Sequence, residues 1–194
     1  MDNNTMYNKV YGCWMGKNIG GTLGGPLEGK MELMNHTFYT QDFGGNPMEN
    51  DDLDLQLLNL HVIEQYGINI TSRHIAAEWK SHVFFNMDEY ALFLSNARRG
   101  VETPVSGHFN NEFTDCMGSP IRSEIWAVLA PGNPELAAYF AYQDAIVDHA
   151  GGEGVYGEVF FAALESMAFE NDDLQAIANK ALTFIPESSV TSKA

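Results

Sequence analysis

Residues 49–67, ENDDLDLQLLNLHVIEQYG, begin with acidic side chains and continue with apolar ones at helical spacing. Leu53, Leu57, Leu60 and Ile63 recur three or four residues apart, which is typical of one buried helical face. Gly67 is a typical residue at a helix C-terminus. The segment therefore predicts a helix from about Asn50 to Tyr66.

The same periodicity recurs along most of the chain, whereas no series of alternating strands is present. Further helices are predicted at about 6–19, 71–83, 86–100, 119–130, 134–149, 153–169 and 172–184. Asn86 with Glu89 has the form of a capping box, and Asn133 before Pro134 is a typical helix start. We therefore predict an all-α fold: a single-domain orthogonal bundle of about eight helices over residues 1–185, followed by a flexible polar tail over 186–194.

The first predicted helix carries Gly12, Gly16 and Gly20 four residues apart, and a loop is predicted over 20–26. A glycine inside a helix costs about 1 kcal/mol relative to alanine. Three glycines at one spacing therefore predict close approach by another helix or by a ligand.

The charge, the apolar runs and the cysteine count limit the partners and the location expected for this chain. The 194 residues include 26 acidic and 10 basic side chains, a formal charge of −16. Such a charge repels a phosphate backbone, so we expect no nucleic-acid partner. No apolar run is long enough to cross a membrane, and the start lacks the features of a signal peptide. With only two cysteines, a cytoplasmic location is expected.

The acidic start of residues 49–67 is the best candidate for a metal site. Glu49, Asp51, Asp52 and Asp54 place four carboxylates within six residues, and a divalent cation relieves their mutual repulsion. The alternative is a helix start, with Asn50 as the cap and the aspartates favoured by the helix dipole. The pentapeptide Glu-Asn-Asp-Asp-Leu of residues 49–53 recurs at residues 170–174, where a helix cap explains it fully.

Three other features are candidates for chemistry. Glu28 follows a glycine-rich loop and could orient a water or a substrate hydroxyl, or be an exposed loop residue. Residues 118–122, Gly-Ser-Pro-Ile-Arg, could form a phosphate pocket, or Arg122 could pair with one of the many acids. His149 could contact a ligand or stabilise a helix C-terminus. We expect no zinc site, and assign His61, His74 and His82 to packing or exposure.

Four landmarks in this order resemble the ADP-ribosylglycohydrolase family, over about residues 6–185. They are the glycine-spaced first helix leading to Glu28, the step Asn50-Asp51-Asp52-Leu53, the segment Gly118–Arg122, and Asp148-His149 followed by small residues. The resemblance implies an all-α fold around two magnesium ions. It also implies hydrolysis of an N- or O-linked ADP-ribosyl bond, in an ADP-ribosylated protein or a small ADP-ribose conjugate.

The resemblance also implies roles for single residues. Asn50, Asp51 and Asp52 match the family's metal motif, with Mg²⁺ or Mn²⁺ as the ion, while Glu28 and Asp52 would assist proton transfer. Gly118, Ser119 and Arg122 resemble the loop that contacts phosphate and ribose. His149 resembles the histidine near the bound nucleotide.

Two departures from the family pattern modify these expectations. Asn50 and Leu53 replace the flanking threonines of the metal motif, and a later Asp-x-Asp motif is missing from this chain. We therefore expect a shortened version of the domain that holds Mg²⁺ weakly and has reduced or no activity. The missing helices would leave apolar surface exposed, which favours self-association.

Two alternatives to a hydrolase of this type stay open. The chain could be a non-catalytic module that binds ADP-ribose or associates with itself. The pair Glu49-x-x-Asp52 is also half of the metal motif of all-α nucleotide pyrophosphohydrolases. That reading is disfavoured, because the second acidic pair it requires is not evident.

Overall fold

The computed structural model describes residues 1–46, 48 and 50–194. Over these residues the fold is all-helical and without strands, which confirms the predicted class. None of the described helices is long and apolar enough to cross a membrane. The described residues form nine α-helices: α1 Asn3–Gly24, α2 Asp51–Tyr66, α3 Ser72–His82, α4 Asp88–Arg98, α5 Ser123–Leu129, α6 Pro134–Ala145, α7 Glu153–Met167, α8 Leu174–Ala181 and α9 Val190–Lys193. Short 3₁₀ helices span Gly25–Leu27, Val105–Gly107, Pro120–Arg122 and Leu182–Phe184.

The chain divides into two compact units, residues 1–55 and 56–194. Each unit is described by itself below. The single domain expected over residues 1–185 stays a prediction.

Helix α1 is longer than predicted and includes most of the expected glycine-rich loop. It begins after Asp2, whose carboxylate accepts a hydrogen bond from the Thr5 amide at 2.8 Å. Apart from the backbone of α1 itself, none of the described atoms of residues 1–55 lies within 4 Å of a Cβ built at Gly12, Gly16 or Gly20. No other helix of this unit therefore approaches these glycines closely, and the approach of a ligand stays a prediction.

Helix α2 buries a different face from the one predicted. Leu57 and Leu60 are exposed, whereas Gln56, Asn59 and Val62 are buried. The two amides explain the rotation, since both find partners inside the unit. Gln56 donates to the Ile121 carbonyl at 3.1 Å, and Asn59 donates to Asp144 at 2.8 Å. These hydrogen bonds satisfy buried polar groups whose burial would otherwise be costly.

Helix starts that depend on local capping are mostly as predicted. Thr71 precedes α3, and the Asn133 side chain accepts from the Leu136 amide at 3.2 Å. The predicted capping box at Asn86 and Glu89 is wrong, because α4 begins at Asp88 and Met87 occupies the cap position without a side-chain bond. The Glu89 side chain is buried instead.

The core of residues 56–194 is formed where α7 packs against α5 and α6. Its side chains include Trp126, Phe140 and Ala162, each at most 1 % exposed. Polar groups of these helices meet within this core and form the cluster described below.

The segment expected to be a flexible tail contains the short helix α9. Ser189 caps α9 by accepting from the Ser192 amide at 3.0 Å. The Glu153 carboxylate at the start of α7 accepts from the amides of Val190 and Thr191 at 2.8 and 2.9 Å. Polar residues of this segment therefore serve as caps, and its expected flexibility stays a prediction.

Candidate functional site

The two copies of the acidic pentapeptide start their helices in different registers. In the first copy α2 begins at Asp51, so Asp51 and Asp52 lie in the first helical turn. In the second copy α8 begins at Leu174, and Asp173 is the cap that accepts from the Ala176 amide at 3.0 Å. The second copy therefore has the predicted capping role, while the first presents an acidic pair on a helix.

The first turn of α2 has features of a cation site and of a helix cap together. Asn50 Oδ1 accepts from the Leu53 amide at 3.3 Å, so its side chain caps the helix. Lys17 Nζ lies 3.9 Å from Asp52 Oδ2, which shows that a cation already approaches this carboxylate. Both aspartates are partly exposed, and their carboxylate oxygens can serve as metal ligands. This suits Mg²⁺, which binds one or two carboxylates and keeps several waters. Glu49, and with it the Glu49-x-x-Asp52 alternative, lies outside the described residues.

Residues 1–55 also contain a cavity of about 800 Å³. Met15 and Asn18 of α1 line one part of it, and Phe38, Tyr39 and Phe43 line another. Its volume is in the range of small-molecule sites, and its aromatic rings could stack on a flat ligand group. Glu28, the other predicted residue of this unit, is exposed just after the 3₁₀ turn Gly25–Leu27.

A buried ionic cluster centred on Arg122 dominates the predicted site residues of unit 56–194. The guanidinium donates to Asp148 through Nη1 and Nη2 at 3.0 and 2.9 Å, and to Asp144 through Nε at 3.1 Å. Nη1 also donates to the Gly118 carbonyl at 3.3 Å, and the group lies 4.8 Å from the centre of the Trp79 ring. Arg122 has no exposed surface, so the expectation that it pairs with acids describes its position better than an open phosphate pocket.

Asp148 connects this cluster to His149. Its Oδ1 lies 2.9 Å from His149 Nδ1. Burial would raise the pKa of Asp148, but Arg122 and His149 overcome that effect and lower it to about 2. An ionised carboxylate only accepts hydrogen bonds, so Nδ1 carries the proton. Among the described residues His149 Nε2 has no hydrogen-bond partner, although it is buried. It is therefore an oriented polar atom available to a ligand.

Two further acids of the cluster differ from Asp148 in their electrostatics. Burial raises the pKa of Glu89, which lies close enough to Asp148 and His149 for the three to hold a metal ion. Burial also raises the pKa of Glu158 well above its ordinary value, with a contribution from neighbouring Asp144. Glu158 accepts from Trp126 Nε1 at 3.1 Å. One arginine thus neutralises the low-pKa acid, while these two favour the protonated state.

Small residues allow this cluster to form. A Cβ on Gly118 would overlap the Glu89 carboxylate, and one on Gly154 would overlap the His149 ring. Ser119 is buried and donates from its hydroxyl to the Gly154 carbonyl at 2.8 Å. The segment 118–122 therefore packs against the start of α7 and against Glu89.

The structure brings Gly118, Arg122 and His149 into one cluster. Asn50, Asp51, Asp52 and Glu28 belong to the other unit. Their predicted functional roles, like those of the cluster residues, stay predictions. Sequence reasoning missed Glu89, Asp144 and Glu158. The spacing of Asp144 and Asp148, four residues apart, was a usable signal, whereas Glu89 gave none because its local pattern indicated a cap.

One of the comparisons with known proteins identifies a family, and that family has an all-α fold like this chain. The chain matches the ADP-ribosylglycohydrolase family over residues 2–194. No curated protein and no solved structure matches it significantly. The matched family consists of metal-dependent hydrolases of ADP-ribosyl linkages. The match extends over essentially the whole sequence, and we conclude that this chain belongs to the ADP-ribosylglycohydrolase family.

Proposed function

We propose that this protein hydrolyses an N- or O-glycosidic ADP-ribosyl bond, in an ADP-ribosylated protein or a small ADP-ribose conjugate. The observation that carries the proposal is the family match over residues 2–194. At a net charge of −16 the surface as a whole repels anions. The phosphates of such a substrate must therefore be held by local groups in the site.

Asp51 and Asp52 are the residues that would hold Mg²⁺, or Mn²⁺ in its place. Asn50 Oδ1 already accepts a hydrogen bond from the Leu53 amide and keeps one lone pair for an ion. These residues supply only a few ligands, so most of the coordination sphere would be water and the ion weakly held. A bound ion of this kind would orient ribose hydroxyls and lower the pKa of a coordinated water. Glu28 and Asp52 are assigned to proton transfer, as exposed or partly exposed carboxylates that a water can reach.

The cavity of residues 1–55 is proposed to take part of the ADP-ribosyl group. A volume of about 800 Å³ fits such a ligand, and the rings of Phe38, Tyr39 and Phe43 provide stacking surfaces for adenine. The Asn18 side chain, already a donor to the Trp14 carbonyl at 2.8 Å, adds a polar group to its lining.

His149 is proposed to accept a hydrogen bond from a substrate hydroxyl through Nε2. Arg122 fixes Asp148, and Asp148 fixes the protonated Nδ1, so the ring is oriented before a ligand arrives. Because Nε2 is buried, a ligand reaches it only if the surrounding chain moves aside. Gly118 and Ser119 are proposed to shape this position through their packing against Glu89 and Gly154.

The test is release of free ADP-ribose from a modified protein in the presence of Mg²⁺. Asp51→Ala and Asp52→Ala should each lower the rate by at least about tenfold, since each removes a metal-binding oxygen. Glu64→Ala is the matched control, because Glu64 is an exposed acid of the same helix beyond its acidic first turn. Equal rates for the wild type and Asp51→Ala would remove the catalytic claim.

A second candidate is a binding module that associates with another copy of itself. The observation in its favour is the apolar stripe on α1, where Tyr7, Tyr11, Met15 and Ile19 are each more than 40 % exposed. Light scattering gives the molar mass in solution of the wild type and of Tyr11→Ser, and so shows whether each is a monomer or a larger assembly. A monomeric wild type counts against this candidate.

A further inference from the structure

Two histidines and a glutamate meet between α2 and α3, and none of them belongs to the Arg122 cluster. Glu78 and His82 are four residues apart on α3, so their side chains lie on the same helical face. His61 reaches them from α2. Its Nε2 lies 3.4 Å from Glu78 Oε2, and His82 Nε2 lies 3.2 Å from the same oxygen. Three potential ligand atoms thus lie within 4.8 Å of one another.

The two separations between histidine nitrogen and carboxylate oxygen, 3.4 and 3.2 Å, match the edges of a tetrahedral metal site. Bonds of about 2.0–2.2 Å from zinc to nitrogen and oxygen place neighbouring ligand atoms about 3.3–3.5 Å apart. Ion pairing alone explains the arrangement less well. Both rings approach one oxygen, and their centroids are only 5.1 Å apart. Two imidazolium groups there would repel each other across a single negative charge, whereas neutral imidazoles are normal metal ligands.

The glutamate is held in place by its own partners, as metal-binding carboxylates usually are. The Tyr66 hydroxyl donates to Glu78 Oε1 at 2.8 Å, which leaves Oε2 directed at the histidines. The Tyr66 ring stacks on His74, with centroids 4.4 Å apart. Glu78 is only 15 % exposed, compared with 38 % for His61 and 51 % for His82. The site therefore has an ordered base and an outer side open to solvent.

We propose that His61, Glu78 and His82 bind a divalent transition-metal ion, of which Zn²⁺ is the representative. Two imidazoles and one carboxylate suit zinc, cobalt, nickel or copper, whereas magnesium prefers oxygen ligands alone. Three protein ligands leave a fourth position for water. The ion links α2 to α3 and stabilises the folded state, because the unfolded chain does not hold the three groups together. This site is separate from the Asp51 and Asp52 turn and does not depend on the proposed activity.

The test uses the full chain without a histidine tag, in excess Mg²⁺ so that oxygen-only sites are occupied. Zn²⁺ is titrated by calorimetry, and Co²⁺ is followed by its visible absorption. We expect one ion per chain and a higher melting temperature in Zn²⁺. His61→Ala and His82→Ala should each weaken binding by at least tenfold. Both residues are partly exposed, so these variants should retain the fold, which circular dichroism checks.

Two further variants sharpen the result. Tyr66→Phe should weaken binding by about 10- to 100-fold, since it removes only the hydrogen bond that orients Glu78. His108→Ala, at an exposed histidine outside the group, should leave the affinity unchanged. Absence of saturable uptake by the wild type overturns the proposal. Binding that survives both the His61 and His82 substitutions, or that is lost with Asp52→Ala, also overturns it.

Discussion

Replacing Arg122 with methionine should destabilise residues 56–194 by about 3–5 kcal/mol. Methionine keeps an unbranched side chain but removes the charge, so Asp148 loses its two-pronged partner and Asp144 loses the bond at 3.1 Å. Removing one partner of a buried ion pair costs about this much, since the remaining charge is left uncompensated. The pKa of Asp148 supports the scale. The difference between about 2 and the ordinary 3.8 corresponds to roughly 2–3 kcal/mol favouring the ionised carboxylate in the folded state.

Urea unfolding followed by tryptophan fluorescence measures this loss where it occurs. Trp79 and Trp126 are fully buried, and both contact the cluster. With a slope of roughly 2 kcal/mol per molar urea, the midpoint should fall by about 2 M. The urea midpoint of Arg122→Lys should fall less, because lysine keeps the charge but loses the bidentate geometry of the guanidinium.

Arg73→Met is the matched control for this series. Arg73 pairs with Glu102 at 3.4 Å, but both side chains are at least 75 % exposed. Its midpoint should move by no more than about 0.5 M, because exposed ion pairs contribute about 0–1 kcal/mol. A shift for Arg122→Met no larger than that of the control would refute the assignment of a buried, uncompensated charge.

Three further outcomes follow from the same cluster. Stability should fall as the pH is lowered from about 4 towards 2, because the depressed pKa of Asp148 gives a contribution that is present above the unfolded value and lost on protonation; a constant urea midpoint over this range contradicts it. Because the pKa of Glu158 is raised, the folded wild type binds a proton that the unfolded chain releases above pH 4.5, and its stability falls as the pH rises. Glu158→Gln should reduce this fall, which urea midpoints measured at pH 6 and 8 test. Gly118→Ala should cost about 1–3 kcal/mol by overlap with Glu89, and the added change Glu89→Ala should recover part of the loss in the same assay.

The helical class and several helix starts could be predicted from the sequence because their causes are local. Asn133 caps α6 by accepting a hydrogen bond from the nearby Leu136 amide. Thr71 occupies the cap position of α3 without a side-chain hydrogen bond. The buried face of α2 could not be predicted from its leucines. Gln56 and Asn59 turn inward for partners 65 and 85 residues away in the chain, and periodicity carries no information about such distant hydrogen bonds.

The candidate site shows the same division. Asp148 and His149 are neighbours in sequence, so their contact was within reach of sequence reasoning. Glu89 was misassigned because its local pattern matched a cap, whereas its place near His149 arises from tertiary packing. The two acidic pentapeptides are identical, yet one helix starts two residues earlier in the motif than the other. Their registers therefore depend on the surrounding chain, beyond the five residues themselves.

The chain of contacts from Arg122 through Asp148 to His149 has a consequence for how such proteins change over evolutionary time. Replacing one of these charges leaves another buried and uncompensated, so selection for stability alone opposes their loss, with or without an activity. The aspartates that start α2 are partly exposed, so replacing them disturbs the interior less. Drift should erase that acidic turn first, and the interior histidine would persist as a relic in proteins that no longer react.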